Sequence, residues 1–315
     1  MKVLISDDLA PECAEIFKKG GIEVDTKVGL APDALKAIIG DYDGLVVRSA
    51  TKVTADLLSA AAKLKVIGRA GAGVDNIDVK AAMAKGAVVM NTPGGNSVAV
   101  AELTLAMMFG MARSLPQATA STKAGKWEKK VFAAKGRELT AKTLGIVGFG
   151  KIGIELSKRA QGLCMKVIAY DPFITAERAA EFGVDLVSFD ELVARADYLS
   201  FHLPLNEQTK HMVDAAMIAK MKKGAYLINC ARGGVVDEMA LAKALHDGHL
   251  AGAALDVFEQ EPADPANPLF QEPNFICTPH LGASSVEAQE KVGLQIAEQM
   301  VDFLNDGKAI NVVKG

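Results

Sequence analysis

The sequence contains few residues of the kinds that build metal, disulfide or membrane-spanning structures. Its four cysteines, Cys13, Cys164, Cys230 and Cys277, lie far apart in a chain of 315 residues and form no CxxC pair. Cysteines with this spacing are typical of reduced, mostly buried thiols, and they argue against a zinc site or a disulfide framework. We therefore expect free thiols and no metal.

An export signal, a membrane-spanning run and a charge excess are also lacking. The N-terminus has only a short apolar stretch before Asp7, where a signal peptide needs a longer one. The most apolar segment, 103–112, is bounded by Glu102 and Arg113. It is far shorter than the roughly 20 residues that span a bilayer, so it predicts a buried helix.

The charges are nearly balanced: Lys and Arg number 35 against 38 Asp and Glu, for a net charge of −3. We expect a cytoplasmic protein that binds neither nucleic acid nor membranes.

The composition and periodicity indicate two α/β domains. Half of the residues are hydrophobic and 23% are charged, which supports large cores and excludes a disordered chain. The length corresponds to about two domains of roughly 100–200 residues each. Thr54 and Asp78 are predicted helix N-caps. The first block has predicted strands over 3–5, 44–47, 64–67 and 87–90, and predicted helices over 11–20, 32–39 and 54–61. Strands separated by helices run parallel, with both faces of the sheet covered.

A second α/β block begins near residue 143 after two segments of different character. A long apolar helix is predicted over 97–113, and the polar stretch 116–138 carries six Lys or Arg and the only tryptophan. That stretch is either a surface excursion or an arm that packs on another subunit. A final helix is predicted over 285–304. The strands predicted in the second block are 144–147, 165–170, 198–202, 225–229, 252–255 and 274–277. They fit a doubly wound sheet.

Residues 148–153 match the pattern GxGxxG in the context of a dinucleotide-binding loop. The match follows a predicted strand and opens a predicted helix, and Asp171 ends the next strand 18 residues beyond Gly153. Gly148 would make the tight turn, Gly150 would let the backbone approach a pyrophosphate, and Gly153 would let the helix pack on the strand. A carboxylate at position 171 accepts hydrogen bonds from both ribose hydroxyls and repels a 2′-phosphate. The loop therefore predicts NAD rather than NADP.

A second glycine-rich stretch, 68–73, differs from this pattern. Asn76 occupies its third glycine position, and no acid ends the next predicted strand. A nest of backbone amides there suits a carboxylate or a phosphate rather than a dinucleotide.

Polar residues that follow the strands of the second block are the candidates for chemistry, since ligands bind at the carboxyl ends of such strands. Arg232 is followed by two glycines, and its guanidinium fork can hold a substrate carboxylate at two points. His280 follows the last predicted strand, and imidazole is suited to moving the proton that accompanies a hydride near pH 7. Glu261 lies 19 residues earlier in a loop that could reach His280 and orient its ring.

The other histidines and Cys230 give weaker signals. His246 and His249 have a ligand-like HxxH spacing but end an exposed helix with no third ligand nearby, which argues against a metal site. His202, two residues before Pro204, is expected to line the cofactor site. Cys230 has no base in its sequence neighbourhood and is expected to be a small buried group.

Taken together, these motifs resemble the D-isomer-specific 2-hydroxyacid dehydrogenases over essentially the whole chain. The matching segments are GFGKIG with Asp171, NCARGG at 229–234, ALDVFEQEP at 254–262 and PHLGAS at 279–284. The resemblance implies a Rossmann NAD-binding domain, 97–284, inserted in a flavodoxin-like substrate domain, 1–96 with 285–315. It also implies that Arg232 binds the substrate carboxylate, His280 is the general acid/base, Glu261 orients it, and Asp256 contacts the nicotinamide carboxamide.

The cofactor-binding residues expected on this basis are Gly148, Gly150, Lys151, Ile152, Gly153, Asp171, Pro172, His202, Pro204, Cys230, Asp256 and Gly282.

Segments 46–58, 68–78, 90–102 and 116–132 are most similar to family members that oxidise a phosphorylated 2-hydroxy acid. The resemblance implies a homodimer through 116–138, with a basic residue of that arm reaching the partner's active site. Many such members continue into regulatory domains, whereas this chain stops at residue 315, so we expect no feedback inhibition through such a domain. Ala72 stands where related chains often carry a hydroxyl. The expected substrate-binding residues are Arg48, Arg69, Gly71, Ala72, Gly73, Lys129 and Lys130.

Two other functions remain open at this point. One is a hydroxypyruvate or glyoxylate reductase, or a dehydrogenase for another 2-hydroxy acid. The other is an NAD-sensing binding protein like the transcriptional corepressors built on this fold, which retain the acid/base residues.

Overall fold

The computed structural model describes residues 1–314 and divides into two compact units. One unit, which we call the discontinuous unit, combines Met1–Asn96 with Ala283–Gly315, and the other, the central unit, is Ser97–Gly282. The second boundary lies two residues before the one expected from the sequence. Each unit has its own parallel sheet covered by helices, so the predicted α/β class with two parallel-sheet domains is confirmed.

The discontinuous unit is built on a five-stranded parallel sheet with the strand order β2-β1-β3-β4-β5, which is the flavodoxin-like order. A 3₁₀ turn at Ile39–Asp41 precedes β3. The elements up to β5 are β1 (Lys2–Ile5), α1 (Glu12–Lys19), β2 (Glu23–Thr26), α2 (Pro32–Ile38), β3 (Gly44–Val47), α3 (Ala55–Ala60), β4 (Val66–Arg69), α4 (Val79–Ala84) and β5 (Val88–Asn91).

Local sequence explains most of these elements. All four residues of β3 are buried, as expected for a central strand covered on both faces. The predicted N-caps are confirmed: Thr54 accepts a hydrogen bond from Leu57 N–H, and Asp78 accepts one from Ala81 N–H. The strand β2 was not predicted, because this edge strand has the sequence EVDT and exposes part of it to solvent.

The central unit is built on a seven-stranded parallel sheet with the order β12-β11-β10-β9-β6-β7-β8. This is the Rossmann order with one additional strand, since β6 and β9 lie at the centre and the chain winds outward from them in both directions. A 3₁₀ turn at Pro268–Gln271 precedes β12. The elements are α5 (Ser97–Ala112), α6 (Leu115–Lys123), α7 (Lys129–Lys135), β6 (Thr143–Val147), α8 (Lys151–Gly162), β7 (Lys166–Tyr170), α9 (Ala176–Ala180), β8 (Asp185–Leu186), α10 (Phe189–Arg195), β9 (Tyr198–Phe201), α11 (Ala215–Lys220), β10 (Tyr226–Asn229), α12 (Glu238–His246), β11 (Gly252–Leu255) and β12 (Phe275–Cys277).

The six strands predicted for this unit are present, and the two-residue edge strand β8 is an addition. The apolar helix α5 is packed in the core, with Met107 and Met108 among its buried residues. The polar stretch after it forms α6 and α7, neither of which has a buried residue, and Trp127 between them is 83% exposed.

Within residues 1–314, no single helix is long and apolar enough to cross a membrane; α5 and α6 pass such a test only as a pair bent by 61°.

The expectation of mostly buried cysteines is wrong for half of them. Cys13 and Cys230 are buried, whereas Cys164 and Cys277 are exposed. Cys164 follows α8 in a left-handed turn with φ of 59°, and Cys277 ends the edge strand β12. Both cysteines therefore lie at the end of an element, where the chain borders solvent.

The final helix, α13 (Val286–Asp306), returns to the discontinuous unit. Its residues Ile296 and Met300 lie against Gly68 of β4 so closely that a Cβ at position 68 would overlap the Met300 sulfur. The first glycine of the stretch 68–73 therefore serves helix packing. After α13, Val312 forms an antiparallel bridge with Met90 and covers the free edge of β5.

Candidate active site

The GxGxxG loop between β6 and α8 uses its three glycines for three different reasons. Gly148 has φ of 91°, and a Cβ there would overlap the His202 carbonyl oxygen. A Cβ on Gly153 would lie 2.6 Å from the Gly148 carbonyl oxygen, so glycine lets α8 pack closely against β6. A Cβ on Gly150 would meet nothing within 4 Å. The backbone at Gly150 thus faces open space at the N-terminus of α8, where backbone N–H groups and the helix dipole favour an anion.

Asp171, directly after β7, ties this loop to the neighbouring strand. Its Oδ2 accepts the Phe149 N–H at 2.8 Å, and its Oδ1 accepts the Phe173 N–H at 2.9 Å. Pro172 stands between, and the Phe173 side chain is 91% exposed. The carboxylate is therefore fixed beside the glycine loop, where it can accept hydrogen bonds from ribose hydroxyls and repel a 2′-phosphate.

Two of the predicted cofactor-lining side chains are held neutral by burial. Burial lowers the pKa of His202 to about 4, so its ring is uncharged at pH 7, and its Nε2 lies 2.9 Å from Ser200 Oγ. Burial raises the pKa of the Cys230 thiol to about 12. Cys230 Sγ lies 3.5 Å from Met107 Sδ, which agrees with its interpretation as a small buried group.

Arg232 lies in a turn after β10 that a buried asparagine fixes. Asn229 is 1% exposed; its Nδ2 donates to the Arg232 carbonyl at 2.8 Å, and its Oδ1 accepts the Ala231 N–H at 3.0 Å. A Cβ on Gly233 would overlap the Phe258 carbonyl oxygen, so glycine at 233 lets this turn lie against the loop that follows β11. Asn229 is not among the residues predicted from the sequence, although an asparagine at a strand end before a turn is a known turn signal.

Glu261 and His280 are in direct contact. His280 Nδ1 lies 2.8 Å from Glu261 Oε2, and Glu261 Oε1 accepts the Phe258 N–H at 3.1 Å. Each carboxylate oxygen thus accepts one N–H, which assigns the proton of a neutral His280 ring to Nδ1 and leaves Nε2 as the nitrogen that exchanges a proton. The loop after β11 carries Glu261, which contacts His280, and its Phe258 lies against the turn of Arg232. This loop therefore links the three candidate catalytic residues.

Asp256, directly after β11, holds the loop that carries His280. The residue is fully buried; its Oδ1 accepts from Thr278 Oγ1 at 2.5 Å and from Leu281 N–H at 2.6 Å, and its Oδ2 accepts the Gly282 N–H at 2.8 Å. These contacts surround His280, whose own N–H donates to the Asp256 carbonyl at 2.8 Å. They stabilise His280 in the left-handed conformation, with φ of 56°, that a side chain of this size rarely adopts.

The discontinuous unit carries the two predicted arginines at the carboxyl ends of neighbouring strands. Arg48 follows β3, and Arg69 ends β4. A Cβ on Gly71, which has φ of 143°, would overlap the Arg69 guanidinium, so glycine at 71 is required for this Arg69 conformation. The third glycine of the dinucleotide loop, Gly153, lies inside α8, whereas Asn76 lies three residues before α4 begins at Val79. The stretch 68–73 therefore lacks the short loop and immediate helix start of a dinucleotide site.

The remaining candidates are the two lysines of α7 and the two histidines of the HxxH pair. Lys129 and Lys130 begin α7 and are exposed. His246 pairs with Glu272 at 3.3 Å, and His249 Nε2 lies 3.0 Å from a carbonyl oxygen of α11, so the HxxH pair is engaged in separate contacts. Within the described residues, 1–314, no three His, Cys, Asp or Glu side chains cluster in a way that could hold a metal ion.

A dinucleotide-binding sheet with an arginine, a glutamate and a histidine after its strands is typical of an NAD-dependent dehydrogenase. Comparison with known proteins gives the same class. Residues 105–282 match the family model described as "D-isomer specific 2-hydroxyacid dehydrogenase, NAD binding domain". The chain belongs to the D-isomer-specific 2-hydroxyacid dehydrogenase family.

Among individual relatives, the chain is similar to D-3-phosphoglycerate dehydrogenases. It is 51% identical to that of Pongo abelii over 99% of this chain and 58% of the relative, and 50% identical to that of Methanocaldococcus jannaschii over 99% and 59%. A crystal structure of NAD⁺-bound 3-phosphoglycerate dehydrogenase from Entamoeba histolytica is 33% identical with a TM-score of 0.84, covering 100% of this chain and 99% of that one. The chain spans a little under three fifths of the length of the curated relatives named here.

Proposed function

We propose that the protein oxidises 3-phospho-D-glycerate to 3-phosphohydroxypyruvate with NAD, the oxidation that begins phosphorylated serine synthesis. The observation that carries this proposal is the contact between Glu261 and His280 at 2.8 Å, on a loop that also touches the Arg232 turn. An acid-base pair beside an arginine is what the oxidation of a 2-hydroxy acid needs, because a proton leaves the hydroxyl as a hydride leaves C2. The similarity to D-3-phosphoglycerate dehydrogenases supports the choice of substrate.

The residues around the glycine loop fit NAD. Gly150 leaves room for a pyrophosphate at the N-terminus of α8, and the Asp171 carboxylate beside the loop would accept the ribose hydroxyls. Neutral His202 and the nearby backbone would line the same site. When bound, NAD supplies the acceptor for the hydride.

Residues of the chain itself orient the substrate and transfer the proton. Arg232 holds the substrate carboxylate through its planar guanidinium and so orients C2. Nε2 of neutral His280 accepts the hydroxyl proton, and Glu261 stabilises the resulting imidazolium across Nδ1. Asp256 keeps the loop of His280 in place. Orientation and proton transfer each contribute to rate, with general base catalysis typically worth about 10²–10⁴-fold.

We assign recognition of the substrate phosphate to the cations outside this cluster. Arg48 and Arg69 follow strands of the discontinuous unit, and Lys129 or Lys130 of α7 would act in the active site of a second copy of the chain. The exposed Trp127 beside α7 supports this arrangement, because a large apolar side chain left in solvent favours burial against a partner. The protein is accordingly proposed to be a homodimer through residues 116–138.

A substrate panel tests the proposal. The purified protein is assayed by NADH formation with 3-phospho-D-glycerate and with D-glycerate, and by NADH consumption with hydroxypyruvate and glyoxylate. We expect the phosphorylated acid to have a kcat/KM at least 100-fold above that of D-glycerate, because two or more cations bind the phosphate. Equal or higher activity with the unphosphorylated acids would assign the protein to the reductases of the family. Tight NAD binding with no turnover of any acid would favour an NAD-sensing binding protein.

A further inference from the structure

The loop of residues 48–51, which follows β3 and begins with Arg48, is held by a buried carboxylate that the proposed reaction does not use. Asp7, just beyond the neighbouring strand β1, is 4% exposed. Its Oδ2 accepts the Arg48 N–H at 2.6 Å, and its Oδ1 accepts the Thr51 hydroxyl at 2.6 Å. The Thr51 N–H lies 3.1 and 3.2 Å from the two oxygens. One carboxylate therefore fixes both ends of the four-residue loop.

The opposite side of the same loop is held by an amide. Asn76 Nδ2 donates to the Arg48 carbonyl at 2.8 Å and to the Thr51 carbonyl at 2.7 Å. The N–H groups of Arg48 and Thr51 thus point to an acceptor, and their carbonyl groups point to a donor. This matching is specific, since a carboxylate only accepts and the two N–H groups of an amide only donate. Asn76 also marks where the stretch 68–73 departs from a dinucleotide loop, and its contacts give that departure a structural reason.

The hydrogen-bond partners of the Arg48 guanidinium are neutral. Its Nη1 donates to the Asp8 carbonyl at 3.1 Å and to Gln289 Oε1 at 3.3 Å, which are both neutral acceptors. Within residues 1–314, no carboxylate lies within 4.0 Å of a guanidinium nitrogen of Arg48. The nearby Asp7 carboxylate is instead satisfied by backbone and hydroxyl donors. A half-buried cation held by neutral dipoles attracts an anion more strongly than one already paired with a carboxylate.

We propose that Asp7, acting with Asn76, is a positioning residue that sets the placement of Arg48 and through it the preference for a phosphorylated substrate. This inference rests on the proposed function, in which Arg48 binds the phosphate. Asp7 does not touch the substrate. It fixes the backbone from which the Arg48 side chain extends, so that the guanidinium is ordered before the substrate arrives and less ordering is required on binding.

The test compares Asp7→Asn with a control carboxylate at the opposite end of β3. Asp43 precedes β3, is partly buried, accepts the Lys2 N–H at 2.8 Å and pairs with Lys65 at 2.9 Å, whereas Asp7 follows β1 and accepts the N–H of Arg48, which follows β3. In Asp7→Asn, one oxygen becomes an NH₂ group that faces N–H and O–H donors, so the loop loses part of its anchor. We expect KM for 3-phospho-D-glycerate to rise at least tenfold with kcat within threefold, while kcat/KM for D-glycerate and KM for NAD change less than twofold. Asp43→Asn should change none of these values more than twofold.

A double-mutant comparison separates this inference from the proposed function. Arg48→Ala should raise KM for the phosphorylated substrate at least as much as Asp7→Asn, and adding Asp7→Asn to it should have no further effect above twofold. If Arg48→Ala leaves KM unchanged, the phosphate-binding role of Arg48 fails, and the inference fails with it. If Arg48→Ala raises KM but Asp7→Asn does not, only the positioning role of Asp7 is overturned.

Two milder variants keep the test decisive if Asp7→Asn does not fold. Thr51→Val removes one hydroxyl that donates to Asp7, and Asn76→Ser removes the donors to the two carbonyl groups. Each should raise KM for 3-phospho-D-glycerate about threefold or more, because each loosens one side of the loop, and neither should change KM for NAD. Unchanged KM in both folded variants would overturn the proposal.

Discussion

Replacing Glu261 by Gln tests how the His280 ring is held. Oε2 of Glu261 lies 2.8 Å from His280 Nδ1, and Oε1 accepts the Phe258 N–H at 3.1 Å. A glutamine has one oxygen and one NH₂ group, so it can accept only one of these two N–H groups and must turn its own donors towards the other. We therefore expect kcat for 3-phospho-D-glycerate oxidation to fall, since the ring no longer has a fixed partner when it becomes charged.

The size of the effect follows from the exposure of the pair. A hydrogen bond to a charged group contributes about 1.5–3 kcal/mol. The Glu261 and His280 side chains are 39% and 49% exposed, so solvent screens part of the interaction and the lower value, about 1.5 kcal/mol, applies. That free energy corresponds to about a tenfold lower kcat, measured by steady-state NADH formation.

The chain provides a matched control two residues away. Glu259 contacts His211 at 3.0 Å, and the two side chains are 41% and 40% exposed. The pair has nearly the same chemistry and exposure but no role in the proposed reaction. Glu259→Gln should therefore keep kcat within twofold of the unmodified protein. Equal kcat values for Glu261→Gln and Glu259→Gln, in folded proteins, would refute the role of Glu261.

Three further predictions concern the cofactor loop, the loop packing and the thiols. Asp171→Ala should raise KM for NAD at least tenfold and reduce the preference for NAD over NADP, because the acceptor for the ribose hydroxyls is lost; the ratio of kcat/KM values for the two cofactors measures this. Gly233→Ala should destabilise the protein by roughly 1–3 kcal/mol, seen as a lower melting temperature, because a Cβ overlaps the Phe258 carbonyl oxygen; an unchanged temperature would contradict this packing. Iodoacetamide at pH 8 should label exposed Cys164 much faster than Cys230, because burial raises the pKa of Cys230 to about 12 and leaves almost no thiolate; peptide mass spectrometry gives the two rates.

Much of the fold was predictable because its central strands and capped helices have strong local signals. The strand Gly44–Val47 is a continuous apolar run between polar turns, and its predicted bounds agree with the structure. Thr54 and Asp78 are the side chains that accept N–H groups at helix starts, so the predicted caps are present. Edge strands such as β2 were missed, because a strand with one solvated face and charged residues leaves no apolar run.

The contacts that assemble the candidate site were only partly predictable. The proximity of Glu261 to His280 could be expected from loops that follow neighbouring strands of one sheet. The roles of Asp256 and Asp7 could not be expected in this way, because each depends on which backbone groups of another loop lie within hydrogen-bonding distance. Asn229 differs, since its partners lie two and three residues later in the same turn and asparagine is a turn signal. Sequence places Asp256 and Asp7 just after strands, whereas only the folded chain shows what their oxygens accept.

The proposed reaction is tested by following the hydride from the substrate. The protein is incubated with 3-phospho-D-glycerate deuterated at C2 and NAD⁺, and the product NADH is examined by NMR, for the native chain and for His280→Asn. Asparagine is chosen because it tolerates the left-handed backbone of His280. We expect deuterium at C4 of the nicotinamide with the native chain, and turnover about 100-fold slower or more in His280→Asn with NAD binding retained. Unlabelled NADH would rule out direct hydride transfer, and undiminished turnover in His280→Asn would rule out His280 as the base.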